Sequence, residues 1–284
     1  MKPVSWRCPR CKHDLGGVFY CDTCGISFNR VDGVWYSSEP IKPPGSFTPS
    51  RCRHLLEIER DHFWFLARDK LIEILLSSLL LDGDSDLLEL GCGSGRMLPS
   101  MAATNCNVIA VDAYPELLAH ARNRCQEATL IQADVGDLPL ADAQFDIVLA
   151  LDVLEHVEPD LLLSEARRVA RPGGRIIISV PASSYLWSEA DTEAGHRCRY
   201  NRFMLFNELA RNGWIPAGYT YYQFFLYPVI WLSRRFIYKK TKIERHPPRW
   251  FSAVSCAINT FEASCLRGLS LPWGSSLLMW ARRT

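Results

Sequence analysis

Residues 87 to 95 read Leu87-Leu88-Glu89-Leu90-Gly91-Cys92-Gly93-Ser94-Gly95, an apolar strand that ends on an acid and runs into three alternate glycines. Glycine lacks a Cβ, so the backbone can turn sharply off the strand and lie directly against a ligand. A helix expected from about Arg96 offers unpaired N–H groups beside the loop. The pattern predicts a nucleotide-sized pocket at the carboxyl end of a strand in an open α/β sheet.

Three more strand-like runs repeat the arrangement of apolar strand and polar end. Val108-Ile109-Ala110-Val111 ends in Asp112, 21 residues after Gly91; Thr129 to Ala133 ends in Asp134; Phe145 to Leu151 leads into Asp152-Val153-Leu154-Glu155-His156-Val157. An acid at the end of the second strand suits ribose hydroxyls, and ligands of parallel sheets bind where successive strands end, so one crevice can collect all these groups.

The glycine spacing narrows the nucleotide. A dinucleotide site has G-x-G-x-x-G, whereas the residue three after Gly93 is Arg96. With Arg171-Pro172-Gly173-Gly174-Arg175 leading into Ile176 to Val180, five ordered motifs make residues 60 to 284 resemble class I S-adenosylmethionine-dependent methyltransferases. The resemblance implies a Rossmann-like α/β sheet, mostly parallel with an antiparallel last strand and helices on both faces. It also implies a cofactor site made of Glu89, Gly91, Cys92, Gly93, Gly95, Asp112, Ala113, Asp134, Val135, Leu151 and Asp152. Upstream, Glu59 to Arg68 looks like the segment that covers the cofactor in one branch of these enzymes; Trp64 would then pack over the pocket and Arg68 pair with the methionine carboxylate. Residues 51 to 81 have helical apolar spacing, and 50–82 is read as an N-terminal helical cap.

Four of the eleven cysteines form Cys8-Pro9-Arg10-Cys11 and Cys21-Asp22-Thr23-Cys24. Two C-x2-C knuckles can close one tetrahedral thiolate site, and a segment this short needs a bound ion to fold, so residues 1–39 are read as a zinc ribbon with structural Zn2+. The ribbon resembles those preceding ribosomal-RNA guanine methyltransferase domains, including Gly33-Val34-Trp35-Tyr36; it could hold a substrate, a protein partner or only the neighbouring domain. Residues 40–49, with prolines at 40, 43, 44 and 49, are read as a linker, and 50–284 as the catalytic domain. The other cysteines are scattered singly. No apolar leader follows Met1, which with the thiolate site points to the cytoplasm. A net charge of +1 argues against charge-driven nucleic-acid binding over the whole surface.

A sulfonium methyl is already activated, so positioning supplies most of the acceleration and a general base serves a hydroxyl acceptor. His156 follows the fourth strand; His196 lies in a segment, with Asp191 and Arg199-Tyr200, that resembles the D…GH…RY stretch of the same branch. Both histidines, and Asp191, are candidate catalytic residues. Asp152, Glu155 and His156 also have a D-x-x-E-H spacing similar to the metal-binding E-x-x-E-H of ubiquinone-biosynthesis O-methyltransferases and small-RNA 2′-O-methyltransferases.

A helix over 202–212 and an antiparallel pair, 214–222 with 275–281, are predicted next, with residues 223–270 inserted between the pair as a lid. The insertion begins Phe224 to Leu232, too short to span a bilayer, and continues with Arg234, Arg235, Lys239, Lys240 and Lys242. Apolar residues with tryptophan and tyrosine beside basic side chains suit a peripheral membrane contact through 223–242. Leu271 to Leu278 resembles the L-P-x-G-x-S-x-L strand of bacterial methyltransferases that act on varied acceptors. The expectation is O- or C-methylation of a small-molecule or lipid-linked acceptor, ahead of RNA and ahead of a non-catalytic cofactor-binding adaptor.

Overall fold

The computed structural model describes residues 4–41, 48–79, 84–237, 249–265 and 270–284. Most of the linker, the end of the cap and the lysines of the insertion therefore lie outside the described residues. Four short strands open the chain: β1 (Trp6–Arg7), β2 (Asp14–Gly16), β3 (Phe28–Val31) and β4 (Val34–Ser37). Helices α1 (Pro49–Ile58) and α2 (Phe63–Leu79) form the cap. Strands and helices then alternate: β5 (Asp86–Leu90), α3 (Leu98–Ala102), β6 (Asn107–Asp112), α4 (Pro115–Arg124), β7 (Thr129–Gln132), β8 (Phe145–Leu151), α5 (Pro159–Val169) and β9 (Ala170–Pro181). The rest comprises α6 (Glu189–Ala194), α7 (Arg202–Arg211), β10 (Trp214–Tyr222), α8 (Tyr227–Leu232), α9 (Arg249–Cys265) and β11 (Ser276–Arg283).

Nine strands form one sheet in the order β10-β11-β9-β8-β5-β6-β7-β4-β3. Strands β7, β6, β5, β8 and β9 are parallel, while β11 runs antiparallel to both its neighbours. Alternation across the pleat divides the core between two faces. Leu88, Leu90, Ile109, Val111, Val148 and Ala150 pack on one side, and Leu87, Val108, Ala110, Ile147 and Leu149 on the other. Because helices cover both faces, these strands read as unbroken apolar runs in the sequence.

The cysteine-bearing segment does not stand apart. Strand β4 pairs in parallel with β7, Val34 opposite Leu130 and Trp35 opposite Ile131, so the β3–β4 hairpin extends the central sheet by two strands. Trp6 is buried in the main core, 4.5 Å from the Phe28 ring and 5.3 Å from Trp35. Backbone bonds Arg7 N–H to Pro139 O (3.2 Å) and Ala141 N–H to Ser5 O (3.0 Å) fix it to the β7–β8 connection. Among the three roles left open for the segment, packing on the neighbouring domain is the one visible here.

Candidate active site

The crevice opens where β5, β6, β7 and β8 end, encloses about 880 Å3, and is lined by α1 and α2 on one side and by Val229, Ile230, Ser233, Arg234 and Phe251 on the other. Gly91 and Gly93 both adopt the left-handed conformation, at φ 66° and 54°. A Cβ on Gly91 would strike Val153 at 2.6 Å, whereas one on Gly93 would project into open space, where a ligand can lie against bare backbone. Gly95 does not line the crevice. Its missing Cβ instead admits α4, since that atom would lie 2.8 Å from the Ala121 backbone, so the third glycine of the motif is a packing residue.

Asp112 ends β6 with its carboxylate held by two backbone donors, Gly93 N–H at 2.8 Å and Tyr114 N–H at 2.9 Å. The carboxylate lines the crevice, where its oxygens can accept from a vicinal diol. Burial pushes this carboxyl up to about 6. Glu89 is buried one residue before the end of β5, with Oε2 lacking any hydrogen-bond partner, and burial pushes it up to about 8. The Arg68 charge offsets part of that shift, and the open oxygen at this depth is poised for a cationic ligand. Arg68 is buried opposite, where Asp69 and Asp152 hold its charge despite burial. It donates to Asp152 at 2.7 Å and twice to Asp69, which uses three of its five N–H groups and leaves capacity for a ligand carboxylate. Trp64 faces the crevice with its indole N–H on Ser276 Oγ at 2.9 Å. Cys92, Ala113, Asp134, Val135, Leu151 and Asp152 line the same space.

A second cluster forms the far wall. Asp191, in the first turn of α6, is buried and accepts from His196 Nδ1 at 3.0 Å, Arg199 Nε at 2.9 Å and Arg234 at 2.8 Å. Although burial opposes its charge, these three partners hold its carboxyl well below the usual range. The contact fixes the His196 tautomer with the proton on Nδ1 and leaves Nε2 as the acceptor. The His156 ring meets His196 edge-on at 4.9 Å between centroids, and burial, with His196 beyond it, lowers His156 to about 3, so it is neutral at physiological pH.

The D-x-x-E-H spacing does not gather as one donor set. Asp152 sits at φ 57°, and its carboxylate turns to Ser179 Oγ at 3.0 Å and Arg68 at 2.7 Å. His196 takes its place: ligand atoms of Glu155, His156 and His196 lie within 4.8 Å of one another and could hold a divalent cation. Forty residues separate the histidines, so no local pattern marks the pair. Arg199 belongs to the D…GH…RY stretch and Arg234 to the basic run of the insertion, but nothing in the sequence predicts that both meet Asp191, and the same holds for the latch between cap and glycine loop. In that latch Ser94 Oγ donates to Glu59 at 2.7 Å, Arg124 donates to Glu59 at 2.5 Å, and Arg96 bonds both Asp69 (2.5 Å) and the Glu59 carbonyl. The resemblance of Glu59 to Arg68 to a cofactor-covering segment points to a cap over the loop, but not to these contacts.

In the N-terminal segment the four ligand atoms of Cys8, Cys11, Cys21 and Cys24 lie within 4.8 Å of one another. The two knuckles have the same backbone. Cys8 O accepts from Lys12 N–H at 3.0 Å and Cys21 O from Gly25 N–H at 2.8 Å, with Lys12 and Gly25 both left-handed at φ 62° and 67°. Repetition of this turn aims all four thiols at one point. The 3.6 Å separation of Cys11 and Cys21 Sγ is close to the ~3.8 Å edge expected of a tetrahedron with ~2.3 Å zinc–sulfur bonds.

A central order of β7-β6-β5-β8-β9-β11-β10 with only β11 reversed, and a crevice at the strand ends beside the β5–β8 switch, define the class I methyltransferase fold. Residues 88–178 match the family model described as a methyltransferase domain. The chain is 30% identical over 139 residues to a probable S-adenosylmethionine-dependent methyltransferase of Mycobacterium tuberculosis, covering 49% of this chain and 50% of that one. It is 34% identical over 158 residues to a ubiquinone biosynthesis O-methyltransferase of Cereibacter sphaeroides, covering 54% and 60%. The chain thus spans about half the length of the curated relatives it matches. The solved structure of phosphoethanolamine N-methyltransferase 2 from Haemonchus contortus with S-adenosyl-L-methionine shares the fold at 18% identity and a TM-score of 0.58, covering 84% of this chain and 58% of that chain.

Proposed function

We propose that this protein transfers the methyl group of S-adenosylmethionine to oxygen or carbon of a small-molecule or lipid-linked acceptor. The observation that carries the reading is the pairing, in one crevice, of the unsatisfied buried Glu89 and the doubly anchored Asp112 with the Asp191–His196 pair on the opposite wall. Bound there, S-adenosylmethionine supplies a sulfonium methyl that needs little covalent help.

The chain's own residues do the positioning. Asp112 accepts the ribose hydroxyls, Glu89 balances cationic charge, Arg68 takes the carboxylate, and bare backbone at Gly93 lets the ligand approach. Cap and insertion exclude water, which strengthens each of these interactions. His196, oriented by Asp191, takes a proton from an acceptor hydroxyl at Nε2, and neutral His156 supports that ring without competing for the carboxylate. A base in this role contributes about 10²- to 10⁴-fold. The four cysteines hold a structural zinc ion. The name of the ubiquinone biosynthesis O-methyltransferase relative agrees with a small-molecule acceptor.

Calorimetric titration with S-adenosylmethionine and S-adenosylhomocysteine, with NAD as control, tests the reading. Micromolar binding of both sulfur ligands supports it, and binding of NAD alone overturns it.

A further inference from the structure

Helix α8 reads Tyr-Pro-Val-Ile-Trp-Leu, yet none of its residues is buried, and Leu232 is 53% exposed. It is the centre of a continuous apolar surface. The Phe224 ring lies 5.1 Å from Phe225 and 4.8 Å from Trp273, and Phe225 lies 6.0 Å from Phe261, itself 61% exposed on α9. On the other flank Tyr185, 85% exposed, borders a shallow hollow with Tyr227, Pro228 and Trp231. Scattered exposed apolar residues need no explanation; a contiguous set drawn from four segments does.

The surface is built rather than frayed. Glu262 of α9, buried, accepts from the backbone N–H groups of Gln223 (2.5 Å), Phe224 (2.8 Å) and Phe225 (3.3 Å), which fixes the turn into α8. Arg234 anchors its far end on Asp191 and Leu186 O. Charge indicates the occupant. The sequence from 223 to 249 carries seven Lys and Arg and one Glu in a chain of net charge +1. The apolar side chains of α8, with exposed Arg235 just past its end and five further Lys and Arg following in the sequence by residue 249, match an anionic bilayer surface, in which the apolar groups enter the headgroup region and the cations meet lipid phosphates. Val229 and Ile230 of α8 also line the crevice, so the surface is continuous with the wall opposite Glu89.

We propose that the α8 surface docks the protein on anionic membranes, so that an amphiphilic acceptor passes under α8 into the crevice without crossing water. The identity of the acceptor rests on the methyl-transfer reading above; the docking does not.

Sedimentation with phosphatidylcholine vesicles containing or lacking phosphatidylglycerol tests this on the full chain. Binding is expected only with the anionic lipid and should weaken with salt. Arg235→Glu, a two-charge change at an exposed position, should weaken binding at least about tenfold, and Leu232→Ser with Phe261→Ser by a similar factor. Calorimetry with S-adenosylmethionine should be unchanged in these variants, which shows that they are folded. Absence of binding to the anionic vesicles, equal binding by the variants, or capture of single-stranded RNA instead of vesicles would each overturn the proposal, while retained cofactor binding would leave methyl transfer standing.

Discussion

Burial pushes the Glu89 carboxyl up to about 8, near neutral pH, and that makes its charge state readable. Below about pH 8 its buried carboxyl is neutral, and a cationic ligand favours the carboxylate. Ligand binding at pH 7 should therefore release a proton, and affinity should fall as pH drops from 8 to 6, by up to about tenfold per unit. Below about 6 protonation of Asp112 adds to the loss. Calorimetry of S-adenosylmethionine binding in two buffers of different ionisation enthalpy measures that proton. Because the ligand's own amine titrates nearby, Glu89→Gln is the control: it should remove the released proton, and persistence of full release would rule Glu89 out. Asp112→Ala removes the acceptor anchored by Gly93 and Tyr114. With about 1.5–3 kcal/mol for bonds to a charged group, it should weaken cofactor binding roughly 10- to 100-fold. Unchanged affinity would refute the ribose role.

The glycine loop between β5 and α3 shows how one motif divides its work between binding and packing. Both Gly93 and Gly95 are left-handed, so alanine strains either by about 1 kcal/mol. Only at Gly95 does the new methyl also meet α4 and α3, 2.7 Å from Ala121 Cβ and 2.9 Å from Leu98 Cδ1. Gly95→Ala should thus lower stability by a further ~1–3 kcal/mol and affect affinity little, while Gly93→Ala should remain nearly as stable as the parent and lose cofactor binding. Denaturant melts and ligand titration of the two variants separate these outcomes; the reverse pattern would invalidate the division. Such roles were only half legible beforehand. Strand runs such as Val108 to Asp112 and Phe145 to Leu151 declare themselves because burial on both faces demands continuous apolar sequence, and acids at strand ends follow from topology. Which acid turns inward does not. Asp152 left the D-x-x-E-H set because its left-handed backbone points it at Arg68 and Ser179, and His196 joined from a loop whose position depends on tertiary packing. The Glu59–Ser94–Arg124 latch spans 65 residues, beyond any local pattern.

At the scale of the molecule, the cysteine-bearing segment is structurally part of the central sheet. Strand β4 covers the β7 edge that would otherwise be open, and Trp6, Phe28 and Trp35 fill the core behind it. An unpaired parallel edge leaves ladder groups without partners and exposes apolar surface. The segment is too small to hold its own fold, so a bound ion would supply that stability and pass it to the sheet. Cys21→Ser should release zinc, expose Cys8 and Cys11 to thiol reagents, and lower the thermal midpoint of the whole chain. In the parent, zinc release followed with a chromogenic chelator and unfolding followed by circular dichroism should occur in one coincident transition. Release of the ion well below an unchanged main transition would show instead that the ribbon is an independent appendage, and that β7 holds the edge of the sheet without it.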